Sequence, residues 1–203
     1  MFKVNNLTVK NFMSVGNATQ AVNFGRKDLT LVLGQNLDLG GDDTGARNGT
    51  GKTTIINALS YALYGEALTK IRKDNLINKT NGKNMLVTIE FENSGVGYKI
   101  ERGRKPNTVA FYVGGQEQEI TDESQGDSRE TQAEIERMLN MSHDMFKHIV
   151  ALNTYTEPFL SLRANDQRTI IEQLLGITML SEKADVLKEQ NKQTKGDITE
   201  EEY

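Results

Sequence analysis

An α/β fold is predicted for this chain by three features of its sequence. An apolar run enters a Gly-rich loop and leaves it as an apolar, Ala-containing helix pattern between Leu29 and Gly65; alternating strands parted by glycine turns run from Met85 to Val113; and a charged, heptad-spaced tail starts at Leu180. The first feature is the order strand, tight loop, helix. The second is an antiparallel meander, with one face packed and the other wet. A length of 203 residues suits one moderate domain or one and a half, enough for a real core.

Taken in order, Phe2 to Lys10 reads as a first strand and Ala18 to Phe24 as a second. Leu29 to Gly34 reads as a buried third strand that delivers the Gly-rich loop, with Gly25 and Gly34 as breakers. The helix after the loop is expected to run to about Tyr64 and stop at Gly65. In the meander, Met85, Val87, Ile89 and Phe91 alternate with Leu86, Thr88 and Glu90. Ser94-Gly95-Val96-Gly97 turns the chain into Tyr98 to Glu101, and Thr108 to Val113 follows before the Gly114-Gly115 turn. Asp127 as N-cap with Glu130 at N3 predicts a helix to about Leu139. A short helical run covers Asp144 to Val150, Pro158 marks an irregular segment from Leu152 to Ala164, and a helix from Asp166 to Leu175 is ended by Gly176. Leu180, Ala184, Leu187, Asn191, Thr194 and Ile198 are spaced 4, 3, 4, 3, 4, either the start of a coiled coil or a solvated helix.

The loop carries the chemistry. Gly49-Thr50-Gly51-Lys52-Thr53-Thr54 closes an eight-residue pattern that begins at Ala46, where glycine is usual. Backbone N–H groups at a helix start have no partner within the helix, and with the helix dipole they make a seat for phosphate oxygens. Glycines let the backbone close round the anion. Lys52 adds a point charge for β/γ-phosphates, and the Thr53 hydroxyl suits the Mg²⁺ that bridges them. The expected ligands are therefore ATP and Mg²⁺.

Composition narrows the alternatives. The absence of cysteine excludes a disulfide framework and a thiolate metal site. No apolar stretch reaches the ~18 residues of a membrane span and no signal block opens the chain, so a soluble, cytoplasmic protein is expected. His143 and His148 lack the spacing of a helical metal pair and are assigned structural roles. Against a net charge of -4, nine Lys/Arg face four acids between Lys70 and Lys105; that surplus is either a seat for a phosphate backbone or an ordinary solvated face.

These motifs, in this order and across nearly the whole chain, resemble the N-terminal half of the ATPase subunit of SbcC-type DNA-repair exonucleases, within the structural-maintenance-of-chromosomes and ABC-ATPase superfamily. The resemblance extends to the large subunits of T-even-like phage recombination endonucleases. Leu7-Thr8-Val9-Lys10-Asn11-Phe12-Met13-Ser14 is similar to the family's first strand and its Asn-Phe-x-Ser ending, a neighbourhood that contacts nucleotide; Met13 stands where many cellular members carry arginine. Family members run directly from Gly-x-Asn into Gly-x-Gly-Lys, whereas here Gly34-Gln35-Asn36 is followed by the extra segment Leu37 to Asn48. Either Asn36 or Asn48 plays the family's asparagine, and adjacency to Gly49 favours Asn48. Matching Phe159-Leu160 and Arg168 to Gly176 to the family pattern places Asn153 at its glutamine-loop position; by residue type alone Asn153 is a turn former ahead of Pro158.

The resemblance implies an N-terminal lobe of an ABC ATPase head over residues 1–178, with an antiparallel β-subdomain, and a coiled-coil root over 179–203. It also implies site residues: Asn48 to Thr54 around the phosphates, Thr53 and Asn153 toward Mg²⁺, and Lys52 and Asn153 as catalytic. The implied partners are duplex DNA ends, an SbcD-type nuclease, a second head engaged on ATP binding, and the C-terminal lobe that carries the other half of the site. No Leu-Ser-Gly-Gly signature occurs, and no strand of apolar residues ends in a carboxylate beside the loop, Glu90 reading as a solvent-facing strand residue. This chain alone is therefore expected to bind nucleotide weakly and hydrolyse it little. A non-catalytic module binding nucleotide, DNA or a nuclease is the alternative.

Overall fold

The structure is a computed structural model and describes residues 2–36, 49–118, 129–152 and 156–201. These fall into two compact units, Met1–His143 and Asp144–Tyr203.

The first unit is built on a six-stranded sheet of order β2-β1-β3-β4-β5-β6, every neighbouring pair antiparallel. Its strands are β1 (Phe2–Lys10), β2 (Gln20–Asn23), β3 (Met85–Asn93), β4 (Val96–Arg104), β5 (Thr108–Val113) and β6 (Gln116–Glu117). The alternation in β3 is realised: Met85, Val87, Ile89 and Phe91 are buried, and Leu86, Glu90 and Glu92 are exposed. Register carries that face across the sheet, pairing Leu7 with Ile89, Val9 with Val87, Ile89 with Ile100 and Ile100 with Phe111. Directly opposed residues share a face, so the apolar stripe is continuous. An aromatic row of Phe2, Phe91, Tyr98 and Phe111, with successive ring centroids 5.1, 5.3 and 6.0 Å apart, adds about 0.5–1.5 kcal/mol per pair beyond burial. Ser94-Gly95 and Gly114-Gly115 hold positive φ at both turn positions, the twist that two-residue hairpins require.

Helix α1 (Lys52–Tyr64) lies against β3 and β4, and α2 (Arg129–Leu139) also packs on α1. From Asn57 to Tyr64 every residue of α1 is buried, and the loop that follows satisfies its polar groups. Asn57 Oδ1 accepts the Leu68 N–H at 3.0 Å, Ser60 Oγ donates to the Glu66 carbonyl at 2.8 Å, and the Tyr64 hydroxyl donates to the Met141 carbonyl at 3.1 Å. Gly65, at φ 69°, closes the helix through its N–H to the Tyr61 carbonyl.

The segment Leu29 to Gly34 departs from expectation. It forms no strand, and Leu29, Leu31, Val32 and Leu33 are 102, 79, 51 and 72 % exposed. Apolar composition suits a strand to a buried place but supplies no neighbour for its N–H and C=O groups; among the described residues no strand lies beside this run. The second strand is also shorter than expected, and Asp127, the expected N-cap of α2, lies outside the described residues.

In the second unit, the turn α3 (His143–Met145), whose first residue belongs to the first unit, continues as a π-helical turn, Phe146–Val150. Helix α4 (Ala164–Leu174) ends before Gly176 at φ 67°, and α5 (Thr178–Glu201) runs through the heptad pattern with Leu180, Leu187 and Ile198 exposed.

Candidate nucleotide-binding site

The loop reaches α1 through two left-handed glycines, Gly49 at φ 73° and Gly51 at φ 85°. Gly51 is the N-cap, and no side chain caps the helix start. The first turn carries no acid. A helix start without a capping side chain or a carboxylate directs its N–H dipoles at an incoming anion, although the Thr54 N–H turns back to the Gly51 carbonyl at 3.1 Å. A Cβ at Gly51 would come within 3.3 Å of Ser14 Oγ, and one at Gly34 would run into the Thr50 side chain. Lys52 Nζ bends back over the loop and donates to Thr50 Oγ1 at 3.3 Å. Thr53 is exposed, so its hydroxyl is open to a cation that approaches the phosphates.

Thr54 behaves differently from its neighbour. It is 6 % exposed, and its hydroxyl lies 3.0 Å from Ser14 Oγ. This bond ties the start of α1 to the turn after β1. That turn is held by asparagines: Asn11, 1 % exposed, donates to the Asn84 carbonyl at 3.1 Å and Asn17 Oδ1 at 3.3 Å, and its Oδ1 accepts from Asn81 at 2.8 Å. Asn78 donates from its side chain to the Met13 carbonyl at 2.9 Å and from its backbone to the Asn11 carbonyl at 2.8 Å. A buried amide is stabilising only when fully paired, and here each of these groups has a partner.

At the far end of α1 sits Arg102, which by sequence counts among the surface cations. It is 5 % exposed. Its Nε donates to the Ala62 carbonyl at 3.2 Å and its Nη2 to Gln132 Oε1 at 2.7 Å, while Gln132 Nε2 donates to the Leu63 carbonyl at 3.3 Å. A cation on the last carbonyls complements the helix dipole. Burial pulls the guanidinium down to about 10. A Cβ at Gly65 would meet Arg102 Nη1 at 3.0 Å, so that glycine answers both a positive φ and a close approach.

Of the other residues singled out from sequence, Glu90 is exposed and accepts the Asn6 amide at 2.9 Å, out on the sheet. His143 stacks on Tyr64 with centroids 4.9 Å apart, and its Nε2 lies 2.9 Å from Ser60 Oγ; because that hydroxyl already donates to Glu66, the imidazole is the donor. His148 places its two nitrogens 2.7 and 3.0 Å from the Asp144 and Glu157 carbonyls. Asn48 and Asn153 lie outside the described residues. Among the described residues no cluster of His, Cys, Asp or Glu could hold a metal, and no helix is long and apolar enough to cross a membrane. The residues present thus fit a phosphate chain, and toward a cation they offer Thr53. Sequence reasoning missed the Ser14–Thr54 tie and the Arg102 clamp, since nothing local in sequence announces a partner 40 residues away.

Comparison with known proteins supplies the family. The family described as AAA domain matches residues 6–202. The chain belongs to that family. It is similar to "Exonuclease subunit 2" of Enterobacteria phage T4, with 36% identity over 89% of this chain and 30% of that protein. It is also similar to the "DNA double-strand break repair Rad50 ATPase" of Methanococcus maripaludis, at 26% over 98% of this chain and 19% of that protein, and to the SbcC component of the nuclease SbcCD of Clostridium acetobutylicum, at 28% over 64% and 12%. The chain spans less than a third of the length of these relatives. A solved Smc head domain with an extended coiled coil, bound to the C-terminal domain of ScpA, from Pyrococcus furiosus, has the same fold; its TM-score is 0.61 at 19% identity, over 97% of this chain and 48% of that one. The resemblance to an SbcC-type ATPase is thereby borne out, and with it the α/β class of an ABC ATPase N-terminal lobe.

Proposed function

We propose that this chain is the nucleotide-binding lobe of an ATPase subunit that acts with a partner nuclease on duplex DNA ends in repair and recombination. The observation that carries the reading is the uncapped start of α1 behind Gly49 and Gly51, with Lys52 folded over it. The lobe extends over residues 1–178 and the coiled-coil root over 179–203. Lys52 would neutralise the β/γ-phosphates, the N–H groups of Gly49 to Thr54 would hold the phosphate oxygens, and Thr53 would hold Mg²⁺, with Asn48 completing the loop. When bound, Mg²⁺ supplies charge neutralisation between phosphates. Asn153 offers an amide oxygen as the relay from the γ-phosphate side to the coiled-coil root. Two heads engaged on ATP binding would change the access of DNA ends to the nuclease.

The exposed Leu29 to Leu33 run supports a second, strand-bearing lobe that covers it and brings the signature and the acidic residue this chain lacks beside its loop. On this reading the chain alone turns over little ATP. Calorimetric titration with ATP and Mg²⁺ tests it. Lys52→Ala should weaken binding by roughly 10- to 150-fold, the ~1.5–3 kcal/mol of a hydrogen bond to a charged group. No binding by the unaltered chain, or equal binding by the variant, would sink the proposal; turnover matching that of a complete head, abolished by Lys52→Ala, would sink the half-site.

A further inference from the structure

The two histidines of this chain make different demands on their protons. His143 makes its short bond from Nε2 to Ser60 Oγ at 2.9 Å, for which a single N–H is enough. At His148 both ring nitrogens face backbone carbonyls: Nδ1 that of Asp144 at 2.7 Å, and Nε2 that of Glu157 at 3.0 Å. A carbonyl oxygen can only accept, and a neutral imidazole has one N–H to give. The imidazolium makes both bonds, whereas the neutral ring turns a lone pair toward one of the two oxygens. Among the described residues, the titratable side chains on the two segments that meet at His148 are Asp144, Lys147 and Glu157. Asp144 is paired with Lys147 at 2.6 Å, and Glu157 is exposed.

The two bonds differ in reach. The Asp144 carbonyl is one helical turn back in the same element, so that bond is local. The Glu157 carbonyl lies nine residues on, and that bond joins two separately built flanks. On one side Phe146 is 0 % exposed, and its carbonyl accepts the Ala151 N–H at 2.9 Å. On the other, the Pro158 carbonyl accepts the Ser161 N–H at 2.9 Å and the Phe159 carbonyl the Leu162 N–H at 3.2 Å. Asn153 stands between these flanks in the sequence. One feature opposes their junction: Thr156 Oγ1 is buried with no hydrogen-bond partner among the described residues, a desolvation penalty that favours opening. A bond from a charged donor at the next residue offsets it. With a single N–H left, the ring keeps the local bond, which costs less chain entropy, and gives up the long one.

We propose that His148 is a positioning residue for the segment that carries Asn153, holding its far end through the Glu157 carbonyl by donating from both ring nitrogens at once. This rests on the proposed function for the role of Asn153. Imidazole side chains change charge between about pH 5 and pH 8, so the hold is complete in acid and is released as pH rises.

The test is hydrogen exchange followed by mass spectrometry on the whole chain at two pH values inside that interval, near pH 6 and near pH 8, each rate referred to intrinsic exchange at the same pH. From the lower pH to the higher, protection of peptides spanning 149–162 should fall by roughly 2- to 10-fold, the worth of one hydrogen bond. His148→Gln should be equally poorly protected at both, and His143→Gln should keep the fall. With Mg²⁺ in excess, the preference for ATP over ADP should drop by a similar factor in the unaltered chain and stay low at both pH values in His148→Gln. ADP affinity should be the same in both proteins, because ADP lacks the γ-phosphate that Asn153 addresses. A histidine with a structural role alone would lower stability without tying the ATP preference to pH. The inference is overturned by flat protection in the unaltered chain, which needs no variant to fold. It is also overturned by a fall that persists in His148→Gln or disappears with His143→Gln, or by an ATP preference that ignores pH while protection changes. No nucleotide binding at either pH sinks the proposed function instead, and the exchange profile then decides by itself whether His148 holds the segment.

Discussion

Two apolar segments of this protein, β3 and the run from Leu29 to Leu33, have similar composition and opposite fates. In β3, Met85, Val87, Ile89 and Phe91 are at most 2 % exposed, whereas every leucine of the other run is at least 72 % exposed. β3 has β1 and β4 hydrogen-bonded on its two sides and α1 over its buried face. The 29–33 run has neither edge paired with a strand among the described residues. Hydrophobicity states that a segment is suited to burial; lateral backbone partners decide whether it becomes a strand.

The comparison can be broken experimentally. Phe91→Ala removes a ring that packs on Phe2 and Tyr98 in the sheet core, and urea unfolding should show a loss of about 3–5 kcal/mol. A loss below about 1 kcal/mol would mean that the sheet face is loosely packed. Gly51→Ala places a Cβ at φ 85° and against Ser14, so a loss of about 1–2 kcal/mol is expected by the same measurement, together with weaker ATP binding. Leu33→Ala should change stability by less than about 0.5 kcal/mol, because that side chain is already in water. If Leu33→Ala instead costs as much as a core truncation, the run is packed and its contrast with β3 fails.

The two ends of α1 show how much of the site could be read in advance. The left-handed glycines and the helix start at Lys52 were legible because a Gly-rich loop opening a helix works through local backbone geometry, which local sequence encodes. The stop at Gly65 was legible for the same reason. Arg102 was not: a charged residue in an alternating strand reads as surface, and only the arrival of α1's last carbonyls and Gln132 makes its burial tolerable. The hydrogen-bonded partners of the asparagines were equally silent. The joint role of Asn11, Asn78, Asn81 and Asn84 as a frame depends on β1 and β3 pairing to bring the strand ends together.

By itself the sequence determined the Gly-rich loop, the helix it opens, the antiparallel meander and the heptad-spaced helix, since each follows from interactions a few residues apart. Only the tertiary structure decided that Leu29 to Leu33 pairs with no strand among the described residues, that Arg102 leaves the basic surface for the end of α1, and that Ser14 docks on Thr54. Those outcomes turn on which distant groups meet, and a short-range pattern carries no record of a partner's position.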